Sequence, residues 1–294
     1  MKINFFLISL FVGFLSACTN SGEQTETAGS TEILVDESFA PIVEDQLYVF
    51  ENTYPRADIT LKLKPENSLV NAFLQDSAKV AIMSRTLTPD EASVFERRNI
   101  KIRVNRFAVD AVALVTSKKS ADSVITVQEI IDIMHGKGGN KRLVFDNPNS
   151  STVRYLKDLS KITKLPAGNV YALQTNSEVI KYVHNNPGTI GVIGINWFRQ
   201  PSEDLEPVVK ELKVLAVKNL PGKEGGDGFY KPNQDNLAME LYPLRRNLYI
   251  INCQGGPGLG WGFASFLAGD AGQRIVLKSG LLPDSIPPRE VLIR

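Results

Sequence analysis

Leu143-Val144-Phe145-Asp146-Asn147-Pro148-Asn149-Ser150-Ser151-Thr152-Val153 passes from an apolar strand through a Pro/Asn turn to hydroxyl residues that open a helix reaching Leu156. Strands that feed helices in this way make an α/β chain with a largely parallel sheet. The same transition occurs three times upstream. Ser38 follows Ile33-Leu34-Val35-Asp36-Glu37 and precedes a helix in which Val43, Leu47, Phe50 and Tyr54 recur at i, i+4, i+7 and i+11. Ser68 follows the alternating run Asp58-Ile59-Thr60-Leu61-Lys62-Leu63 and precedes the segment Leu69 to Leu74, while Ser84 follows Val80-Ala81-Ile82-Met83, with Arg85 next to it. Each place offers free backbone N–H groups, the positive end of a helix dipole and a hydroxyl donor, which together suit an anion. A single serine at a helix start is most often only a cap. Four such places, split between the two halves of the chain, point to Ser38, Ser68, Ser84 and the set Asn149, Ser150, Ser151 and Thr152 as anion ligands. Arg85 adds a forked, permanently charged donor, whose ordinary alternative is a salt bridge to Asp90 or Glu91.

Two further runs organise the chain. Val109 to Val115 and Asn247 to Asn252 are almost continuously apolar and long enough to cross between lobes. Thr88-Pro89-Asp90-Glu91 and Thr126-Val127-Gln128-Glu129 carry helix-start chemistry and are structural. Lys218 to Asp235 reads as a loop. About 260 residues follow the N-terminal segment, more than one core usually serves, so two lobes are expected.

That N-terminal segment carries an address. Lys2, the apolar run Ile3 to Leu15 and then Ser16-Ala17-Cys18 form a secretory signal that resembles the bacterial lipobox. The resemblance implies a signal peptide over residues 1–17, a diacylated Cys18, and a flexible tether over residues 18–31. The run is shorter than the roughly 20 apolar residues that span a bilayer. Without residues 1–17 the chain has 32 basic and 32 acidic side chains, so no net charge steers it to nucleic acid. Lipidation of Cys18 leaves Cys253 without a disulfide partner, and its apolar neighbours mark it as a small buried hydrophobe.

Further segments complete the pattern in order: Met83-Ser84-Arg85-Thr86-Leu87-Thr88, Val109 to Val115, Asn149-Ser150-Ser151-Thr152, Gly188-Thr189-Ile190-Gly191, Tyr242-Pro243-Leu244, Gly272-Gln273, and Gly280-Leu281-Leu282-Pro283. The chain from Ile33 to Pro283 resembles the phosphate-binding proteins of ABC transporters. The resemblance implies a two-lobed type II periplasmic-binding fold with a hinge of crossing strands. Lobe one would hold 32–109 plus 243–294, and lobe two 110–242. It implies capture of inorganic phosphate or a related oxyanion on Ser38, Ser68, Ser84, Ser150, Ser151 and Thr152, and delivery to ABC permease subunits by a monomer anchored by lipid in the bacterial envelope, periplasmic or surface-exposed. Two departures stand out. Arg85 occupies the place of an aspartate that accepts a phosphate proton, and Asp146 occupies the place of an arginine.

No catalytic or cofactor machinery is legible. His135 and His184 read as helix-end residues, no His/Cys cluster has metal-ligand spacing, and Gly255-Gly256-Pro257-Gly258 lacks a phosphate-loop or dinucleotide pattern. The other class consistent with these residues is a membrane-tethered sensor or interaction protein with the same fold and a changed or lost ligand.

Overall fold

The computed structural model describes residues 24–285. The segment read as a signal peptide, Cys18 and the first residues read as a tether lie outside the described residues. The strands are β1 (Ala28–Asp36), β2 (Arg56–Lys64), β3 (Val80–Met83), β4 (Arg103–Ser117), β5 (Val124–Thr126), β6 (Arg142–Phe145), β7 (Val170–Ala172), β8 (Thr189–Gly194), β9 (Leu212–Val214), β10 (Ala216–Lys218), β11 (Arg245–Asn252) and β12 (Leu282–Pro283). The helices are α1 (Ala40–Thr53), α2 (Glu66–Leu74), α3 (Pro89–Glu96), α4 (Val127–Met134), α5 (Ser151–Ser160), α6 (Asn176–Asn185), α7 (Ile195–Arg199), α8 (Glu206–Val209), α9 (Gln234–Ala238), α10 (Leu259–Ala268) and α11 (Asp270–Lys278).

The main sheet runs β2-β1-β3-β11-β4-β8-β6-β7. β1 pairs in parallel with β2 and β3, and β6 in parallel with β7 and β8, as the strand-helix alternation predicts. The two parallel groups are joined by β4. Its first half pairs with β11, and Val112 to Val115 pair with β8, so one strand serves both lobes. The chain crosses back before β11, where Val112 N–H donates to the Leu244 carbonyl at 2.8 Å and the Tyr242 hydroxyl donates to the Val112 carbonyl at 2.8 Å. Tyr242 is fully buried, so this bond satisfies a phenol that water cannot reach.

The cores follow from the sequence periodicities. In lobe one α1 buries Ile42, Val43 and Phe50 against the sheet, and the Phe50 ring stands 5.3 Å from Phe263 of α10. α10 is held close to the N-terminal segment: a Cβ on Gly262 would lie 1.7 Å from the Glu26 carbonyl oxygen. In lobe two Ile180 and Val183 of α6 cover β8, and both Thr88 and Thr126 cap their helices in full capping boxes.

The segment read as a tether, residues 18–31, overlaps the first strand. Residues 28–31 lie in β1, where Ala28 to Thr31 pair with Arg56 to Ile59 of β2. Their side chains give no apolar signal because backbone pairing orders them. Between β10 and α9 the segment read as a loop holds mainly turns, with Tyr230 bridged to Val217. Cys253 is 2% exposed and burial pushes its thiol up to about 11, which keeps it protonated.

Candidate functional site

Where the two lobes meet, two helix starts face each other. Asp36 ends β1, and its Oδ1 accepts from the Ser38 N–H at 3.0 Å, fixing the turn that leads into α1. Ser38 is thereby buried with its hydroxyl pointing at lobe two. Across the cleft Ser150 is the cap of α5, its Oγ accepting from the Val153 N–H at 3.3 Å. That leaves Ser151 in the first turn free to point outward from the helix. Ser38 Oγ and Ser151 Oγ lie 3.2 Å apart.

Arg246 of β11 completes this cluster. Its Nη1 donates to Ser151 Oγ at 2.8 Å, its Nε donates to Asp110 Oδ2 at 2.9 Å, and its guanidinium lies 4.4 Å from the centre of the Phe39 ring. It is only 5% exposed. Arg246 Nη2 stands 2.9 Å from Asp110 Oδ2 in the same ion pair, while Asp36 Oδ2, Asp110 Oδ1, Asn176 Oδ1 and Asn196 Oδ1 have no hydrogen-bond partner among the described residues. Buried polar atoms in this condition are rare away from sites that take a ligand or water. The packing is close: a Cβ on Gly194 would meet Asn196 Nδ2 at 2.7 Å, the Ser38 carbonyl at 2.8 Å and Arg246 Nη2 at 3.2 Å.

A second polar cluster also joins the lobes. Glu66, at the start of α2, accepts from Arg154 Nη2 of α5 at 3.1 Å and from Ser84 Oγ at 3.2 Å, and Arg154 Nε also donates to its other oxygen. Arg154 Nη2 further donates to Ser84 Oγ at 3.0 Å. Nearby, Asn67 N–H donates to the Asn149 carbonyl at 3.1 Å.

The structure therefore gathers Ser38, Ser84, Ser150, Ser151 and Thr152 at the lobe boundary, all buried. Ser68 is not among them. It is exposed on the surface of α2, because that helix, capped by Pro65, begins two residues earlier at Glu66 and puts Glu66 at the buried position. Asn149 is also exposed, serving the cross-lobe contact through its carbonyl and, at 3.4 Å, its side chain to Asn67. Arg85 is engaged by carboxylates, with its Nε 3.5 Å from Glu66 Oε1. Its Nη1 and Nη2 donate to the two oxygens of Glu91 at 2.7 and 2.8 Å, the salt bridge that sequence offered as its alternative.

Arg246 and Arg154 were not singled out by sequence. One signal was available: Asp110 interrupts the apolar run of β4, and a carboxylate inside a buried strand requires a cation. Arg246 stands directly opposite Asp110 in the β11–β4 register.

Asp146 does not confront the cleft. Its Oδ1 accepts from Thr152 Oγ1 at 2.8 Å and its Oδ2 from Asn176 Nδ2 at 3.2 Å, while burial still raises its carboxyl above the ordinary range. Burial pushes Asp36 up to about 7, with the Glu66 charge adding to the rise and Arg246 opposing it. Burial, then the Asp146 charge, pushes Glu37 up to about 7.

These shifts fix a pH dependence. A carboxyl with its folded pKa above the unfolded value binds its proton more tightly in the folded state, so stability falls as pH rises from about 4 toward 7. Asp76, Glu91 and Glu129 are held low by their cationic or hydrogen-bonding partners and titrate below this range. The urea midpoint is therefore expected to be higher at pH 5 than at pH 8, with a smaller difference in Asp36→Asn. A midpoint that climbs across that interval would contradict the assignment.

Two α/β lobes joined through crossing strands, with a buried polar site where they meet, define the two-lobed type II periplasmic-binding fold. Residues 20–271 match the PBP superfamily domain, and the chain belongs to that superfamily. It is 24% identical over 301 residues to the phosphate-binding protein PstS of Borreliella burgdorferi, a match covering 96% of this chain and 98% of the relative. In three dimensions it is similar to a Clostridium perfringens protein assigned to phosphate ABC transporter substrate binding and solved with phosphate bound. That match has a TM-score of 0.70 and 20% identity, covering 87% of this chain and 100% of the other. It is also similar to an ABC-type phosphate transport receptor from Vibrio cholerae, with a TM-score of 0.64, 17% identity, and 87% and 100% of the two chains covered.

Proposed function

We propose that this protein captures phosphate, or a closely related oxyanion, between its lobes and delivers it to the permease of an ABC importer. The observation that carries the reading is the convergence of Ser38 and Ser151, from the starts of helices on opposite lobes, on the buried Arg246 guanidinium. Hydroxyls, the helix-start N–H groups and a buried guanidinium replace the water an oxyanion loses on binding. In this reading Ser150 and Thr152 hold the loop before α5, Ser84 acts through Glu66 and Arg154, and no bond in the ligand is made or broken. The phosphate relatives support it.

The buried carboxylates restrict which anion fits. Asp36 and Asp110 bear unpartnered acceptor oxygens beside Arg246, which favour an anion that brings a proton of its own. The lobes divide near residues 109/110 and 242/243, with β4 and the return to β11 as the hinge. Lipidation at Cys18 holds the monomeric protein near its permease. Among the described residues no helix is long and apolar enough to cross a membrane.

Titration calorimetry of the purified protein tests this. Phosphate is expected to bind with micromolar or tighter affinity and sulfate much more weakly. No heat with either anion would leave the tethered sensor or interaction protein with a changed ligand as the reading.

A further inference from the structure

Beside the serine pair lies a cavity of about 520 Å3, bordered by Arg85, Arg154, Tyr155, Arg245, Arg246 and Tyr249. Arg246 belongs to both places: its Nη1 reaches Ser151, and the residue also lines the cavity. The volume is many times the ~30 Å3 share of one water and lies within the range of pockets that hold small organic ligands. A bare tetrahedral oxyanion seated on the serines would leave it unused.

The charge of the lining indicates what would fill it. Each guanidinium already has a carboxylate: Arg85 pairs with Glu91, Arg154 with Glu66 and Asp158, Arg245 with Glu240, and Arg246 with Asp110. No uncompensated charge is left to hold a second anionic group. What the lining does offer is flat guanidinium and phenol surface with hydrogen-bonding edges, which suits a neutral planar or hydroxylated body. Tyr155 contributes as a neutral phenol, since burial pushes it up to about 12 and its hydroxyl donates to the Arg245 carbonyl at 3.1 Å.

Resting on the oxyanion reading above, we propose that the ligand of this cleft is an organic phosphomonoester, its phosphoryl head at Ser38, Ser151 and Arg246 and its neutral body in the arginine- and tyrosine-lined cavity. The ester oxygen leaves the head on the side of Arg246 that faces the cavity. Selectivity over inorganic phosphate then comes from the body.

The test is calorimetry with inorganic phosphate and phenyl phosphate on the wild type and on Leu159→Trp. Leu159 lines the cavity without being among the residues that bond to the serine pair. Phenyl phosphate is expected to bind at least about tenfold more tightly than inorganic phosphate, because ring burial adds an area-proportional gain. Leu159→Trp is expected to remove that margin while leaving inorganic phosphate within about twofold, since only the body's space is filled. Arg245→Ala, read in the same way, covers the case in which Leu159→Trp does not fold. Inorganic phosphate binding as tightly as the ester, or a margin that survives the variants, overturns this proposal and leaves the oxyanion reading intact. Binding of neither probe overturns both.

Discussion

Arg246→Ala is expected to destabilise the protein by about 3–5 kcal/mol and to abolish oxyanion binding. The cost arises because Asp110, fully buried on β4, would keep its charge and lose its cationic partner Arg246. Burial alone already pushes the Asp110 carboxyl upward, and the guanidinium is the principal opposing influence. For a protein of this size the loss corresponds to a fall in melting temperature of roughly 10 °C. The two effects can be separated. Replacing both partners, Arg246→Met with Asp110→Leu, removes the orphaned charge and is expected to recover most of the stability, because a buried ion pair is often no better than apolar residues of similar volume. Binding should stay lost in the double variant, since Arg246 Nη2 and the Nη1 bond to Ser151 are both gone. Thermal unfolding and calorimetry read the two quantities independently, and tight phosphate binding by either variant would remove Arg246 from the site.

Glu66→Ala is expected to shift the protein toward an open form by about 30-fold. Glu66 belongs to lobe one and has a side chain 1% exposed, while its partner Arg154 sits on α5 of lobe two and is 28% exposed. Removing the carboxylate also takes the acceptor from Ser84. A fully buried pair would cost more, but Arg154 keeps Asp158 at 3.1 Å and has some access to water, so ~2 kcal/mol is the appropriate size. That energy acts on the contact between lobes rather than on either core, and 2 kcal/mol converts to about 30-fold in the closed-to-open ratio. Small-angle scattering should show a larger radius of gyration in Glu66→Ala, and ligand affinity should fall by up to the same factor. A scattering curve identical to the wild type would show that the Glu66–Arg154 pair does not hold the lobes together.

The architecture was legible because it rests on local patterns. Apolar runs followed by capping residues placed β1, β3, β6 and the helices after them, and the length of the run around Val109 to Val115 marked the strand that serves both lobes. Of the residues read as anion ligands, those at the helix starts, Ser38 and Ser150 to Thr152, are buried where the lobes meet. Ser68 is exposed because Pro65, whose fixed φ suits a helix start, caps α2 before the serine is reached. Arg85 stands beside Ser84, but Glu91 in the first turn of α3 takes both of its Nη atoms. Arg154 and Arg246 were invisible for a different reason. A cation on a helix face or a strand reads as a surface residue until tertiary packing puts it opposite Glu66 or Asp110, more than eighty residues away in sequence. The start of β1 was missed because pairing with β2 uses backbone groups that composition does not report.

In the proposed function an anion sits between the two lobes on Ser38, Ser151 and Arg246. A crystal structure of the protein grown with phosphate tests it most directly. The expected result is a phosphate at the meeting of the two helix starts, accepting from the Ser38 and Ser151 hydroxyls and from Arg246 Nη2. A phosphate bound outside this cleft, or a cleft in which Arg246 still contacts only Asp110, Phe39 and Ser151 at saturating phosphate, would contradict it.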